Sequence, residues 1–185
     1  CEQKYHGAVR CALGWACWKT YLGRPETDRF RRSAMNILGS GLHEAKHDED
    51  ALSVREAALA MARRLSASEE DLLVAQSNLA VSYLLLGRSE QALSARRDVY
   101  SGYLKLFGEE DKGTLGAALN YAISLGSLQR FEEAKPLLRK KIPVARRVLG
   151  NSDHTTLALR CNYAAALHND PGATLDDFRE AVTTL

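Results

Sequence analysis

The sequence predicts an all-α chain built from consecutive antiparallel helix pairs, and three observations support this prediction. Segments of the chain recur with a period of 42 residues. Within a period, side chains follow the i, i+3, i+4 spacing of a helix buried on one face, and only Lys141 is polar among Ala134, Leu137, Leu138, Lys141, Ala145, Val148 and Leu149. The composition agrees, because the 185 residues are 45% hydrophobic and 26% charged with only four prolines.

Four asparagines mark the period. Asn36, Asn78, Asn120 and Asn162 are spaced 42 positions apart. Their neighbours recur with them, in Ser77-Asn78-Leu79-Ala80, Leu119-Asn120-Tyr121-Ala122 and Cys161-Asn162-Tyr163-Ala164. Because stacked repeats place equivalent residues on equivalent helices, we expect the four amides at matching positions on the first helix of successive pairs.

Turn and capping residues set the helix boundaries. Gly108 and Gly150 follow runs of apolar residues and are predicted helix stops, since glycine enters the left-handed conformation without a steric penalty. Ser68 and Thr174 each precede an aspartate by three residues, the spacing of a helix start that caps its own first turn. Pro143 lies inside a predicted helix and should bend it.

These signals predict one array of helix pairs. The helices are expected at roughly 5–22, 27–42, 50–65, 69–86, 90–107, 111–128, 132–149, 153–168 and 175–185. In this interpretation 1–22 holds the second helix of a partial repeat, 23–65, 66–107 and 108–149 are full repeats, and 150–185 is a partial last repeat. An array that ends without a cap exposes an apolar face, so we interpret the chain as a fragment of a longer protein.

The repeat motifs resemble a known family. Asn120-Tyr121-Ala122, Arg130-Phe131-Glu132-Glu133-Ala134 and the segment 148–154 resemble the kinesin-light-chain type of tetratricopeptide repeat (TPR), and 172–182 is similar to large TPR families of unicellular algae. The resemblance implies a right-handed superhelical solenoid that acts as a non-catalytic scaffold or adaptor and binds a peptide or helix in its concave groove. The resemblance also implies which residues line this groove, namely Asn36, Asn78, Asn120, Asn162, Val81, Ile123, Ala165 and His168. The alternative role is an architectural, peripheral subunit of a large multiprotein assembly.

One segment matches an enzyme motif. His43-Glu44-Ala45-Lys46-His47 fits H-E-x-x-H, in which two histidines bind zinc and the glutamate activates water, so a zinc metalloprotease is a further alternative. The repeat register places this segment at the end of a helix and in the following turn, where the two rings need not converge. We therefore expect no metal, no cofactor and no catalytic residue.

The balance of charges is typical of a protein that binds other proteins. We expect one or more protein partners, or a place in a large complex. The 25 basic and 23 acidic side chains nearly balance, which gives no strong attraction to nucleic acid. Basic residues that cluster locally are interpreted as a solvated outer surface: Arg96, Arg97, Arg139, Lys140, Lys141, Arg146 and Arg147. No apolar run approaches the roughly 20 residues of a membrane span.

The four cysteines predict a reducing environment. No C-x-x-C pair occurs among them, and we interpret them as reduced, mostly buried side chains. They are Cys1, Cys11, Cys17 and Cys161. We therefore expect the cytoplasm or another reducing intracellular compartment. Organelle targeting stays open, because such a signal would lie outside these residues.

Overall fold

The chain folds into helices joined by short turns. The computed structural model describes residues 2–184, and for residues 2–5 the backbone alone. Within 2–184 there is no strand, and the helices are α1 Glu2–Tyr21, α2 Arg29–Glu44, α3 Asp48–Arg64, α4 Glu69–Leu85, α5 Ser89–Phe107, α6 Lys112–Ser127, α7 Phe131–Leu149, α8 His154–Asn169 and α9 Leu175–Thr184. The predicted all-α architecture of helix pairs is confirmed. None of these helices is both long enough and apolar enough to cross a membrane.

Side chains cap the predicted helix starts. Ser68 Oγ accepts the backbone N–H three residues later at 3.1 Å. Thr174 Oγ1 accepts the backbone N–H of Asp177 at 3.2 Å, while the Asp177 carboxylate accepts the N–H of Thr174 at 2.8 Å. Asp111 and Asp153, which are 42 residues apart, also cap helices: Asp111 accepts the backbone N–H of Thr114 at 2.9 Å, and Asp153 accepts that of Thr155 at 2.7 Å. Local sequence therefore fixes where these helices begin.

Left-handed residues recur with the period. The backbone φ angle is 49° at Ser66, 81° at Gly108 and 92° at Gly150, three positions 42 residues apart. Gly87 and Gln129, also 42 apart, have φ angles of 71° and 57°. The stops predicted at Gly108 and Gly150 are confirmed, and the period is present in the backbone as well as in the sequence.

The helices form two compact units, Cys1–Ala95 and Arg96–Leu185. In the first unit α1 packs on α2, α2 on α3 and α3 on α4. Leu38 and Leu42 are buried at this packing, with Trp18 of α1 against them. A Cβ atom at Gly41 would lie 2.5 Å from the carbonyl oxygen of Arg10, so the close contact of α1 with α2 requires glycine there.

In the second unit the first helices of successive pairs are neighbours. α6 packs on α7, α7 on α8 and α8 on α9, and α6 also touches α8. The leucines between these helices are at most 1% exposed: Leu115, Leu125, Leu138, Leu159 and Leu167. The contact of α6 with α8 brings Ile123, Asn162 and Ala165 to one slot between these helices.

Prolines do not end α7. The helix runs from Phe131 to Leu149 through Pro143, which the sequence places inside it, and through Pro136 as well. Both prolines are exposed. Each lacks a backbone N–H, so the carbonyl groups of Glu132 and Arg139 receive no helical hydrogen bond.

The connection between α8 and α9, residues 170–174, is longer than the connections inside the two preceding pairs, 86–88 and 128–130. Ala92, Ala134 and Ala181 are the buried alanines of three second helices, with exposed fractions of 0%, 1% and 8%. Ala134 follows Ala92 by 42 residues, whereas Ala181 follows Ala134 by 47. Two of the five additional residues lengthen the connection, from three residues at 128–130 to five at 170–174, and the other three fall in the first part of α9.

Candidate functional site

The four asparagines lie on α2, α4, α6 and α8, the first helices of the pairs. Asn36 and Asn120 are exposed, and Asn78 and Asn162 are half-buried. The Asn162 amide donates to the carbonyl oxygen of Ala158 in its own helix at 2.8 Å. Within the part of the chain that the structure describes, the other three side chains make no hydrogen bond. No asparagine of the set is therefore used to join one helix to another.

A slot of about 530 Å³ opens between α6 and α8. Of the five predicted residues on these helices, Ile123, Asn162 and Ala165 line the slot, while Asn120 and His168 lie outside its lining. Its lining contains no charged side chain, and we call it the neutral slot, with the principal residues Ile123, Phe131, Asn162, Ala165, Asn169 and Pro171.

The neutral slot also contains residues that the sequence analysis missed, namely Gly126, Ser127 and Gln129. Gly126 and Ser127 stand 42 positions after Leu84 and Leu85, so two large side chains of one repeat become two small ones in the next. A Cβ atom at Gly126 would meet no atom within 4 Å. The loss of these leucines was the available sequence signal.

Ion pairs hold the charged groups beside the neutral slot. Lys135 Nζ lies 2.5 Å from Asp170 Oδ2 and 2.7 Å from Glu132 Oε1. These hydrogen bonds, that of Asp170 first, raise the pKa of Lys135, and the same bond from Lys135 lowers the pKa of Asp170. Arg130 Nε contacts Glu133 Oε1 at 2.6 Å. Each of these charges therefore has an opposite charge within the chain.

Arg96 supports the backbone beneath Asn120. Its Nη1 donates to the Asn120 carbonyl oxygen and to Ser124 Oγ, both at 2.9 Å, and burial lowers its pKa. In the first unit Arg55 Nη1 donates to Ser82 Oγ at 2.7 Å. The prediction that Arg96 belongs to a solvated surface is wrong, because its side chain bonds α6.

Three cations of the basic cluster on α7 lie close to glutamate carboxylates. Lys141 is fully buried, with Nζ 3.5 Å from Glu109 Oε1, and the prediction that it belongs to the outer surface is wrong. Lys140 is exposed and contacts the same carboxylate at 2.7 Å. Arg147 contacts Glu110 at 2.6 Å. These three cations thus tie α7 to the turn before α6.

The H-E-x-x-H residues lie on different elements. His43 is in the last turn of α2, and its Nδ1 is 2.8 Å from Asp48 Oδ1. His47 is the residue before α3, and its Nδ1 is 3.8 Å from Asp50 Oδ2. Lys46 between them has a φ of 67°, which turns the chain. Side chains from His6 to Thr184 include no cluster of three or more metal-binding groups. That no metal binds remains a prediction, and we do not propose a zinc protease.

The described cysteines are free thiols. Cys11 and Cys17 are half-buried on α1, whereas Cys161 on α8 is exposed. The prediction of a mostly buried side chain is wrong for Cys161, because it lies on an outward face of its helix. Cys1 lies outside the described residues.

The first unit has a smaller slot, of about 220 Å³, between α2 and α4. Asn36 lines it, but Asn78 and the half-buried Val81 do not. Arg32 Nη1 lies 3.4 Å from Asp71 Oδ2 at this slot. We call it the charged slot, with the principal residues Arg29, Arg32, Asn36, Asp71 and Val74.

The helix pairs match known proteins. Residues 114–156 match the family model described as tetratricopeptide repeat. The crystal structure of a Podosopora anserina putative kinesin light chain with nearly identical TPR-like repeats aligns with a TM-score of 0.81 at 16% identity, over 99% of this chain and 88% of that chain. The fold is that of the tetratricopeptide repeat. The predicted resemblance to kinesin-light-chain-type TPR proteins is therefore confirmed.

Other solved structures share the TPR fold. BtubC (BKLC) from P. vanneervenii aligns with a TM-score of 0.71 at 16% identity, over 99% of this chain and 70% of that chain. Rap protein complexed with Competence and Sporulation Factor aligns with a TM-score of 0.65 at 15% identity, over 98% of this chain and 57% of that chain. No curated protein matches the sequence significantly.

Proposed function

We propose that this TPR chain is a non-catalytic scaffold for a protein partner, and that the surface of α6 and α8 holds an extended segment of that partner. The supporting observation is that the side-chain amides of Asn120 and Asn162 have donor and acceptor groups without a hydrogen-bond partner among the described residues. Among described residues the Asn120 side chain has no hydrogen-bond partner, and Asn162 uses one amide hydrogen on Ala158. Each amide can still donate and accept, which suits peptide groups of any sequence.

The amides favour an extended segment over a helix. A helix satisfies its own backbone N–H and C=O groups, whereas an extended peptide presents them unpaired. Asn120 and Asn162 occupy matching positions on the neighbouring helices α6 and α8. Two amides in this arrangement can bond two peptide groups of one segment.

The comparisons support a binding role at the level of fold. Rap protein shares the TPR fold and was solved in complex with Competence and Sporulation Factor. TPR arrays distribute binding over several repeats and reuse one packing scheme for many ligands. The residues proposed to bind are therefore argued from this chain alone.

The surface of α1 favours the alternative, an architectural subunit. Val9, Leu13 and Trp15 of α1 are 56%, 61% and 45% exposed. Exposed apolar groups on one helix are typical of a protein contact. A permanent subunit purified from its source would elute only within a complex of fixed composition, whereas an adaptor would also elute free.

Paired substitution tests the adaptor proposal. Nine-residue peptides are selected from a phage-displayed random library on the 185-residue chain, and their affinities are compared for the wild type and the double variant Asn120→Ala, Asn162→Ala. Each lost hydrogen bond should weaken binding by about 0.5–1.5 kcal/mol, with the melting temperature unchanged.

The control is Asn151→Ala, the same change at an exposed turn residue. It should leave affinity unchanged. A double variant that melts at a much lower temperature but binds as the wild type does would defeat the proposal.

A further inference from the structure

The neutral slot indicates the chemistry of the partner. We propose that it receives an uncharged side chain of the extended segment, so that the partner presents a stretch without Asp, Glu, Lys or Arg at that point. This inference rests on the proposed function and adds the class of peptide. It depends on the lining of the slot, its surroundings and the origin of its space.

The lining combines apolar and amide groups. Ile123, Ala165 and Pro171 supply apolar contacts, and Asn162 and Asn169 supply amides. An uncharged side chain entering the slot can pack on the first group and hydrogen-bond the second. A charged one would lose water without gaining an opposite charge, which is unfavourable.

Neighbouring ion pairs keep the slot neutral. Lys135 is 16% exposed and Asp170 is 11% exposed at their 2.5 Å contact, so neither is free to pair with a partner. Asp170 Oδ1 also accepts the backbone N–H of Gly172 at 3.0 Å. Asp170 thereby fixes the lengthened turn that places Pro171 at the slot.

The space of the slot comes from missing side chains. Gly126 and Ser127 replace the Leu84 and Leu85 of the preceding repeat. Because a Cβ atom at Gly126 meets nothing within 4 Å, a leucine there would extend into the slot without displacing the core. The slot can therefore be filled by the residue that the preceding repeat already carries.

Slot variants test this inference with the same phage-displayed nine-residue library. Enriched peptides should lack charge at one position, and Gly126→Leu should weaken their binding at least tenfold without lowering the melting temperature. Ser101→Leu, which adds the same side chain at an exposed position of α5, should change binding less than twofold. Ala165→Glu should shift the preference at that position toward Lys or Arg.

The outcomes separate this inference from the proposed function. Peptides that require Asn120 and Asn162 but carry a charged residue at the Gly126-sensitive position would overturn the inference and leave the scaffold proposal standing. Peptides that require the asparagines but bind Gly126→Leu normally would do the same. If Gly126→Leu melts at a lower temperature, the peptides selected on Ala165→Glu test the inference instead. A shift toward Lys or Arg at one position supports it, and an unchanged preference overturns it. A library that yields no binding peptide would overturn both.

Discussion

The charged slot and the neutral slot form between the same kinds of helices but present different chemistry. The charged slot lies between α2 and α4 and carries Arg29, Arg32 and Asp71 beside Asn36. The neutral slot lies between α6 and α8 and carries no charged side chain beside Asn162. The backbone repeat thus sets where each asparagine lies, and the variable residues around it set the charge of the site.

The two units share one contact, in which an arginine donates a hydrogen bond to a buried serine of a first helix. Arg55 bonds Ser82 in the first unit, and Arg96 bonds Ser124 in the second. Ser82 and Ser124 are 42 residues apart and fully buried. The supporting contact is therefore a property of the repeat, whereas the slot chemistry belongs to each unit separately.

The largest expected change in unfolding free energy comes from the core of the second unit, and it distinguishes the core from the neutral slot. Leu125 is 0% exposed, and Leu125→Ala should lower the free energy of unfolding by about 2–5 kcal/mol. Its neighbour Gly126 faces open space, and Gly126→Ala should raise the free energy of unfolding by up to about 1 kcal/mol. Urea denaturation of both variants checks this. Equal destabilisation would mean that the slot is part of the core.

The shared arginine contacts should give the next largest effect. Arg96→Ala leaves Ser124 Oγ and the Asn120 carbonyl without this donor, and we expect a loss of about 1–3 kcal/mol in unfolding free energy. Arg55→Ala removes the donor of Ser82 and should cost a similar amount. Chemical denaturation measures both. Arg146→Ala is the control, since Arg146 is exposed and has no ion-pair partner among the described residues. A loss in one unit only would contradict a shared support.

Acid should act on the second unit through Asp170. Its hydrogen bond from Lys135 lowers its folded-state pKa below the ordinary value of about 3.9. A carboxylate with a lowered pKa stabilises the fold fully above its unfolded pKa and loses that contribution as pH falls toward the folded pKa. Melting temperatures between about pH 7 and pH 3 should therefore fall less for Asp170→Asn than for the wild type. The control is Glu56→Gln at an exposed side chain, whose melting temperature should fall over this pH range as much as that of the wild type.

The smallest effect is expected in the charged slot. Asp71 and Arg32 have side chains that are 55% and 33% exposed, and their contact is 3.4 Å. Asp71→Asn should change the free energy of unfolding by less than about 1 kcal/mol, and the change should fade at high salt. Denaturation at low and high salt tests this. A salt-independent loss of several kcal/mol would show that the pair is part of the structural core.

Repetition and local signals made most of the fold predictable. The spacing of Asn78, Asn120 and Asn162 gave the helix phase, and Ser68 and Gly108 marked a helix start and a helix end. These are short-range features, since a cap or a left-handed glycine acts within a few residues of itself. They required no knowledge of packing.

Packing decided what the sequence reading missed. The neutral slot exists because Gly126 and Ser127 lack bulk where another helix passes, which no periodicity of apolar residues records. Lys141 sits in the apolar stripe of α7, yet its charge led to an outer-surface interpretation. The whole side chain is buried, its ammonium group included, and Glu109 lies 3.5 Å from that group. The apolar spacing therefore predicted the burial correctly, and the charge did not prevent it.

The two prolines of α7 affect what can pack against that helix. Pro136 and Pro143 are seven residues apart, close to two helical turns, so the carbonyls they leave unbonded lie on one side of the helix. Those oxygens are satisfied most simply by water. A protein that came to cover this side would have to supply two hydrogen-bond donors at fixed places, which makes accidental association there costly and keeps one flank of the repeat hydrated.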